Sequence, residues 1–223
     1  MCRISRFGPD ASDFHKELVL SSHSSVGAVV LCGGHSVRMG SDKALLLVEG
    51  RPFLTHICSI INSHFQQTVV VAAEGQRLPE LPAGVSVVRD SLPNAGPLAG
   101  LLTGLEQTEK LCPKPVKIWL GSCDTPFVSL QVIDRLLVAG ADSDAVLVQH
   151  ADCVQPFGGI YRTGIQQIAR QLIERGERRL SSLPGALNTR IIDSGTLRDL
   201  DPELEFLRNI NTQQDYERYV LSR

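Results

Sequence analysis

Short apolar runs rich in β-branched residues recur along the chain, separated by longer stretches whose apolar positions return every three or four residues. The runs predict strands near residues 27–32, 68–72, 85–88, 116–121 and 144–149, and the longer stretches predict helices near 53–65, 98–109 and 129–139. Beyond Val148 the pattern is less regular. It still predicts a strand over Gln155 to Arg162, a helix from about 163 to 175, and a short helix at about 213–221 with Thr212 as its cap. Strands alternating with helices imply a three-layer α/β/α, Rossmann-like domain with a mostly parallel twisted sheet, because right-handed crossovers place helices on both faces. Loops leaving the carboxyl ends of such strands converge on a crevice where a ligand sits.

Composition narrows the class. The chain has 223 residues, of which 43% are hydrophobic, enough for one α/β domain without a disulfide or metal staple. A formal net charge of -2 argues against a broad basic surface, so no nucleic-acid partner is expected and any phosphate binding must be local. No apolar run approaches a membrane span, and the N-terminus lacks the apolar core of a secretion signal; the expectation is a cytoplasmic protein with no membrane contact. The cysteines at 2, 32, 58, 112, 123 and 153 form no metal-ligand spacing and suit reduced thiols. Residues 1–25 are polar and serine-rich near their end, which predicts a poorly ordered extension before a domain at 26–223.

Three strand exits carry the chemistry. The first runs from Leu31-Cys32-Gly33-Gly34 through Arg38 and Gly40 to Lys43. Its glycines leave backbone N–H groups open to an anion, and two cations stand in the same loop. Neither the dinucleotide fingerprint nor the Walker loop fits the spacing, and a strand-to-helix turn with solvated cations is the alternative. The second exit, Arg89-Asp90 to Gly96-Pro97-Leu98-Ala99-Gly100, leads into a helix whose start the glycines would keep bare for a flat base or a phosphate. The third, Gly121-Ser122-Cys123-Asp124-Thr125-Pro126, presents a carboxylate at the sheet edge. Two like charges about 4 Å apart repel by roughly 4 kcal/mol at an effective dielectric of 20, so a carboxylate facing a polyphosphate implies a divalent cation between them. Mg2+ suits such oxygen ligands, with Asp124 as the first ligand and Asp90 as a second or water-mediated one. Lys43 and Arg38 then neutralise a leaving diphosphate. Arg178 and Arg179 are candidates for a second anionic substrate or a solvated helix-end pair. Asn209 and Asn211, two apart, would project amides to one side of an extended segment.

Taken together, the first loop, Asp90, the Gly96–Gly100 segment, Cys123-Asp124-Thr125-Pro126, Gly176-Glu177-Arg178-Arg179 and Asn209-Ile210-Asn211-Thr212 resemble the molybdenum cofactor guanylyltransferase family over roughly residues 26–221. The resemblance implies a nucleotidyltransferase fold and transfer of GMP from GTP to molybdopterin carrying molybdenum, with Mg2+ and release of diphosphate. It also implies transient contact with cofactor-insertion proteins or molybdoenzyme apoproteins. Leu31, Cys32, Gly33, Gly34, Lys43, Asp90, Gly96, Gly100 and Asp124 then fall on the nucleotide side, Asp124 as metal ligand. Arg178, Arg179, Asn209 and Asn211 fall where the pterin substrate is handled. Gly33-Gly34 and Pro97-Leu98-Ala99-Gly100 favour guanine over cytosine. The chain departs from the family at Cys32, where alanine is common, and at Ala73, where an asparagine often contacts the nucleotide. A cytidylyltransferase, a sugar-phosphate nucleotidyltransferase and a non-catalytic nucleotide-binding module are the alternatives.

Overall fold

A computed structural model describes residues 25–33, 42–90, 95–111 and 116–222. The expectations for residues 1–24, Gly34, Arg38 and Gly40 lie outside these residues. In chain order the strands are β1 (Val26–Leu31), β2 (Leu47–Val48), β3 (Arg51–Pro52), β4 (Gln67–Ala72), β5 (Val85–Arg89), β6 (Lys117–Ser122), β7 (Ala145–His150), β8 (Cys153–Arg162) and β9 (Thr189–Asp193). The α-helices are α1 (Phe53–Asn62), α2 (Pro97–Leu111), α3 (Leu130–Ala139), α4 (Gln166–Glu174) and α5 (Gln213–Tyr216), the last continuing as a π turn over Glu217–Leu221.

The main sheet has the order β5-β4-β1-β6-β8-β7-β9. Every adjacent pair is parallel except those made by β8, which runs against both β6 and β7. The expected mostly parallel α/β sheet is thus present, with one reversed strand inserted beyond β6. Burial explains why β1 lies inside the sheet and not at an edge: all six of its residues are buried, as a strand covered on both faces requires. Ala28 and Val30 point into one layer with Leu54, Ile57 and Ile61 of α1 and Ile133 and Leu136 of α3. Val29 and Leu31 point the other way, against Leu98, Leu101 and Leu105 of α2 and Ala169 of α4. This alternation produces the three layers.

Local chemistry sets the element ends. Pro97 opens α2, where a missing N–H costs little. Ser129 caps α3 by accepting from the Val132 N–H at 3.4 Å. Thr212 caps α5 as expected, in a capping box with Asp215. Two elements lack a sequence forecast. The β2–β3 ribbon turns through Glu49 and Gly50, both at positive φ as a tight hairpin needs. Edge strand β9 is mostly exposed, so it lacks the apolar run that marks the others. Ser25, assigned by the sequence reading to the extension, already belongs to the fold: its carbonyl accepts from the Val116 N–H at 2.8 Å. No helix among the described residues is long and apolar enough to cross a membrane.

A close layer contact lies under α2. A Cβ on Gly104 would overlap the Val29 side chain of β1 and approach Val71 Cγ2 of β4 to 3.2 Å. Alanine gains at most about 1 kcal/mol in helix propensity over glycine, whereas overpacking costs about 1–3 kcal/mol, so overpacking wins. Thermal unfolding should therefore show Gly104→Ala to be destabilised. Gly164→Ala, with nothing within 4 Å of the added carbon, should be close to neutral.

Candidate active site

In the order β5-β4-β1-β6 the chain leaves β1 to one side for β4 and β5, then crosses to the other side for β6. The gap between the carboxyl ends of β1 and β6 is therefore a topological switch point, where neighbouring exits diverge and leave a crevice. Register fixes what lines it. Leu31 pairs with Val71 and Ser122, so two residues further on Gly33 stands level with Ala73 and Asp124. Ala72 pairs with Arg89, which brings Asp90 into the same row. The row Asp90, Ala73, Gly33, Asp124 runs along one edge of the sheet.

Lys43 reaches into this row from the far end of the first loop. Its ammonium donates to Asn211 Oδ1 at 2.6 Å and lies 3.4 Å from Asp124 Oδ2. The Lys43 and Asp124 side chains are only 16% and 24% exposed, so the charge pair is partly shielded from water. Asp42 aims the lysine: its Oδ1 accepts from the Ala44 N–H at 3.0 Å and caps the short 3-10 turn that starts at Lys43. The other Asp124 oxygen, Oδ1, is buried with no hydrogen-bond partner. An unmatched buried acceptor costs about 1–3 kcal/mol, and a hard cation bound there would remove the penalty. Asp124 therefore fits a divalent metal through Oδ1 while Oδ2 faces Lys43.

The C-terminal segment docks on the same carboxylate residue. The Ile210 N–H donates to the Asp124 carbonyl at 2.8 Å, and buried Ile210 separates exposed Asn209 and Asn211, the alternation expected of an extended strip. Asp215 Oδ2 accepts from the N–H groups of Asn211 and Thr212 at 3.0 and 2.8 Å. Desolvation opposes the charged Asp215 carboxylate. The hydrogen bonds from Thr212 and Asn211, with Lys43 nearby, outweigh it and hold Asp215 below the usual aspartate range.

Other expected contacts take different places. Leu31 and Cys32 are buried, the Cys32 N–H donates to the Val71 carbonyl, and the Leu31 carbonyl accepts from Cys123 N–H, so both form the floor of the site. Exposed Gly33 is the first loop residue at its surface. The thiols are packing groups: hydrogen bonding with Cys32 and burial push Cys123 well up, and burial pushes Cys58 up to about 12.

The glycines at the start of α2 require correction. The open side of Gly100 is filled by Leu31, whose Cδ1 would lie 3.3 Å from an added Cβ. Gly96, at φ +82, has the Arg178 backbone against it, and the Arg178 carbonyl accepts from the Leu98 N–H at 3.1 Å. These glycines let protein approach the helix start, so the bare surface expected for a base or phosphate is occupied. Asp90 and Asp124 are three strand spacings apart, about 14 Å at about 4.8 Å each, too far to ligate one ion directly together. Asp90 instead meets Thr103 Oγ1 at 3.5 Å. The four expected acceptor-side residues also separate: Arg178 and Arg179 lie in the exposed turn beside α2, whereas Asn209 and Asn211 flank Asp124.

Two residues of this corner are given no role in the sequence reading, Asp42, which lies within the first-loop motif, and Gln76. Aspartate just before a turn is a recognisable cap signal. Gln76 lies in a polar turn after β4 and carries no periodic signal, yet its side chain hydrogen-bonds Asp42, the Cys32 carbonyl and the Ala73 N–H.

Comparison with known proteins gives the family. A relative named probable molybdenum cofactor guanylyltransferase, from Methanothermobacter thermautotrophicus, is 31% identical over 194 residues, covering 83% of this chain and 94% of the relative. One of the same name from Mycobacterium marinum is 32% identical, with 86% and 91% covered. Among solved structures, molybdopterin-guanine dinucleotide biosynthesis protein A from Archaeoglobus fulgidus superposes with a TM-score of 0.71 at 23% identity, covering 86% of this chain and 95% of that one, a likeness of fold. The family model described as MobA-like NTP transferase domain matches residues 28–189, from β1 to the start of β9 and including Lys43 and Asp124, and the chain belongs to that family.

Proposed function

We propose that this protein transfers GMP from GTP to the terminal phosphate of molybdopterin carrying molybdenum. The observation that carries this reading is the meeting of Lys43, Asp124 and Asn211 at the switch point of a MobA-like NTP transferase domain. The names of the relatives, molybdenum cofactor guanylyltransferase, support the base and the acceptor.

In the reaction an acceptor phosphate oxygen attacks the α-phosphorus of GTP, the bond to the bridging oxygen of the β-phosphate breaks, and diphosphate leaves with the electron pair. Positioning and charge stabilisation supply most of the catalysis in such a displacement, and no covalent enzyme intermediate is needed. Gly33 opens a side-chain-free approach to the triphosphate. Lys43 places a fixed positive charge beside it, aimed by Asp42 and held by Asn211. Asp90 serves the nucleoside side of the row. Asn209 and Asn211 receive the pterin, with Arg178 and Arg179 at the α2 side of the crevice. Asp124 would hold a divalent cation, which we assign as Mg2+, and such an ion supplies Lewis-acid polarisation of phosphate oxygens when bound. The four free cysteines among the described residues suit a reducing compartment, in line with a cytoplasmic enzyme that passes its product to insertion proteins or apoenzymes by transient contact.

Thermal shifts test the base assignment. With Mg2+ and nucleotide at a hundredfold excess over Kd, linkage gives about 2.7 kcal/mol, or roughly 5–10 °C for a domain of this size. GTP should produce that shift and CTP a much smaller one; equal shifts would contradict guanine selectivity. Substitution tests the chemistry: Asp124→Ala should lose at least about a thousandfold in diphosphate release, and Lys43→Ala about a hundredfold or more in kcat. Both should keep the wild-type circular dichroism spectrum. Retained turnover in Asp124→Ala would remove Asp124 from the site.

A further inference from the structure

The Lys43 ammonium meets the Asn211 carboxamide at 2.6 Å. An ammonium only donates, so the amide oxygen of Asn211 must face it and the NH2 group is turned away. Residues 209–211, which make this contact possible, belong to no strand or helix. Three successive N–H groups hold the segment instead. Ile210 donates to the Asp124 carbonyl at 2.8 Å, and Asn211 and Thr212 donate to one oxygen of Asp215, Oδ2, at 3.0 and 2.8 Å.

Only part of this serves the helix. A capping box needs the bond from the Thr212 N–H to the Asp215 side chain, with Thr212 Oγ1 accepting from the Asp215 N–H at 3.1 Å in return. The bond to the Asn211 N–H reaches past the cap, onto the residue that meets Lys43. The element that carries Asp215 is tied back to the chain just after Lys43. Tyr216 Oη donates to the Leu47 carbonyl at 2.7 Å, and Ile210 and Val220 are buried in one apolar cluster with Val48 and Phe53. Lys43, Asn211, Asp215, Tyr216 and Leu47 therefore close a ring of contacts, in which Asp215 grips the backbone of Asn211.

We propose that Asp215 is a positioning residue which, through the backbone of Asn211, sets the Asn211 carboxamide against the Lys43 ammonium. This deepens the transferase reading and rests on it for the reaction that the placement serves. Asp215 itself need touch neither substrate. Its effect on the rate passes through the Asn211 side chain, because a small misplacement of a group that orients a reacting partner is enough to slow the reaction.

The test is a double-mutant cycle in the full-length protein, with turnover of GTP and molybdopterin carrying molybdenum as the readout. Asp215→Ala removes both bonds from Oδ2, whereas Asp215→Asn keeps an amide oxygen that can accept them. Asn211→Ala removes the carboxamide and leaves the backbone N–H in place. Asp215→Ala should lower kcat about tenfold and Asp215→Asn should stay within about threefold of wild type. Asn211→Ala should lower kcat at least as far as Asp215→Ala, and adding Asp215→Ala to it should cost no more than about a further twofold; a mere capping role would slow both backgrounds alike. Hydrogen exchange at the Ile210 N–H, which reports docking of the strip on Asp124 without substrate, should quicken about tenfold in Asp215→Ala and stay within about twofold in Asp215→Asn. An unchanged kcat in Asp215→Ala, an Asp215→Asn variant as slow as Asp215→Ala, losses that multiply in the double variant, or equal exchange in all three proteins would overturn the proposal. If the wild type made no product, the transferase reading would fall, and the exchange rates would still decide whether Asp215 holds the strip.

Discussion

A single ammonium group joins parts of the chain that are far apart in sequence. Lys43 bonds to Asp124, 81 residues on, and to Asn211, 168 residues on. The three come from the end of the glycine loop, the exit of β6 and the C-terminal strip, so the charge of one side chain brings together three separate exits at one edge of the sheet, the place where the proposed reaction puts nucleotide, metal and acceptor. The contact is expensive to build. Lys43 and Asp124 are both largely withdrawn from water, and one oxygen of Asp124 is left without a partner. Such a cost is tolerated where a ligand will remove it, and a cation facing polyphosphate is the ligand whose chemistry fits.

The rest of the fold supplies the rigidity that this meeting point needs. Strand β1 is buried on both faces between α1 with α3 and α2 with α4, so the row at its carboxyl end inherits its position from close packing. Side chains then refine the row. Asp42 caps the lysine turn, Asp215 fixes the backbone of Asn211, and Ile210 anchors the C-terminal strip in the core. None of these three need touch a substrate. Each limits how far a group that does can stray, which matters when catalysis depends on placement.

Much of this was legible in the sequence because the decisive features are short and strongly patterned. The doubly buried run of β1, the Pro97 helix start, the Thr212 cap and the strand exit that carries Asp124 each have a local physical signature. The meeting of Asn211 with Lys43 was not readable in the same way, since it depends on the C-terminal strip folding back to Asp124. Glycines misled the reading at Gly96 and Gly100, because the same lack of a side chain serves ligand approach and protein packing equally; only the positions of Arg178 and Leu31 separate the two. Strand β9 escaped notice because an exposed edge has no apolar run. Ala73 looked like a lost amide, yet Gln76 supplies one to the same corner from three residues further on.

Base and acceptor converge in a single product measurement. Purified protein would be supplied with Mg2+, an equimolar mixture of GTP and CTP, and molybdopterin carrying molybdenum, and the products separated and identified by mass. The account predicts one diphosphate released per molybdopterin guanine dinucleotide formed, no cytosine dinucleotide, and no diphosphate when the pterin is left out. A cytosine product, or diphosphate release that ignores the pterin, would contradict it.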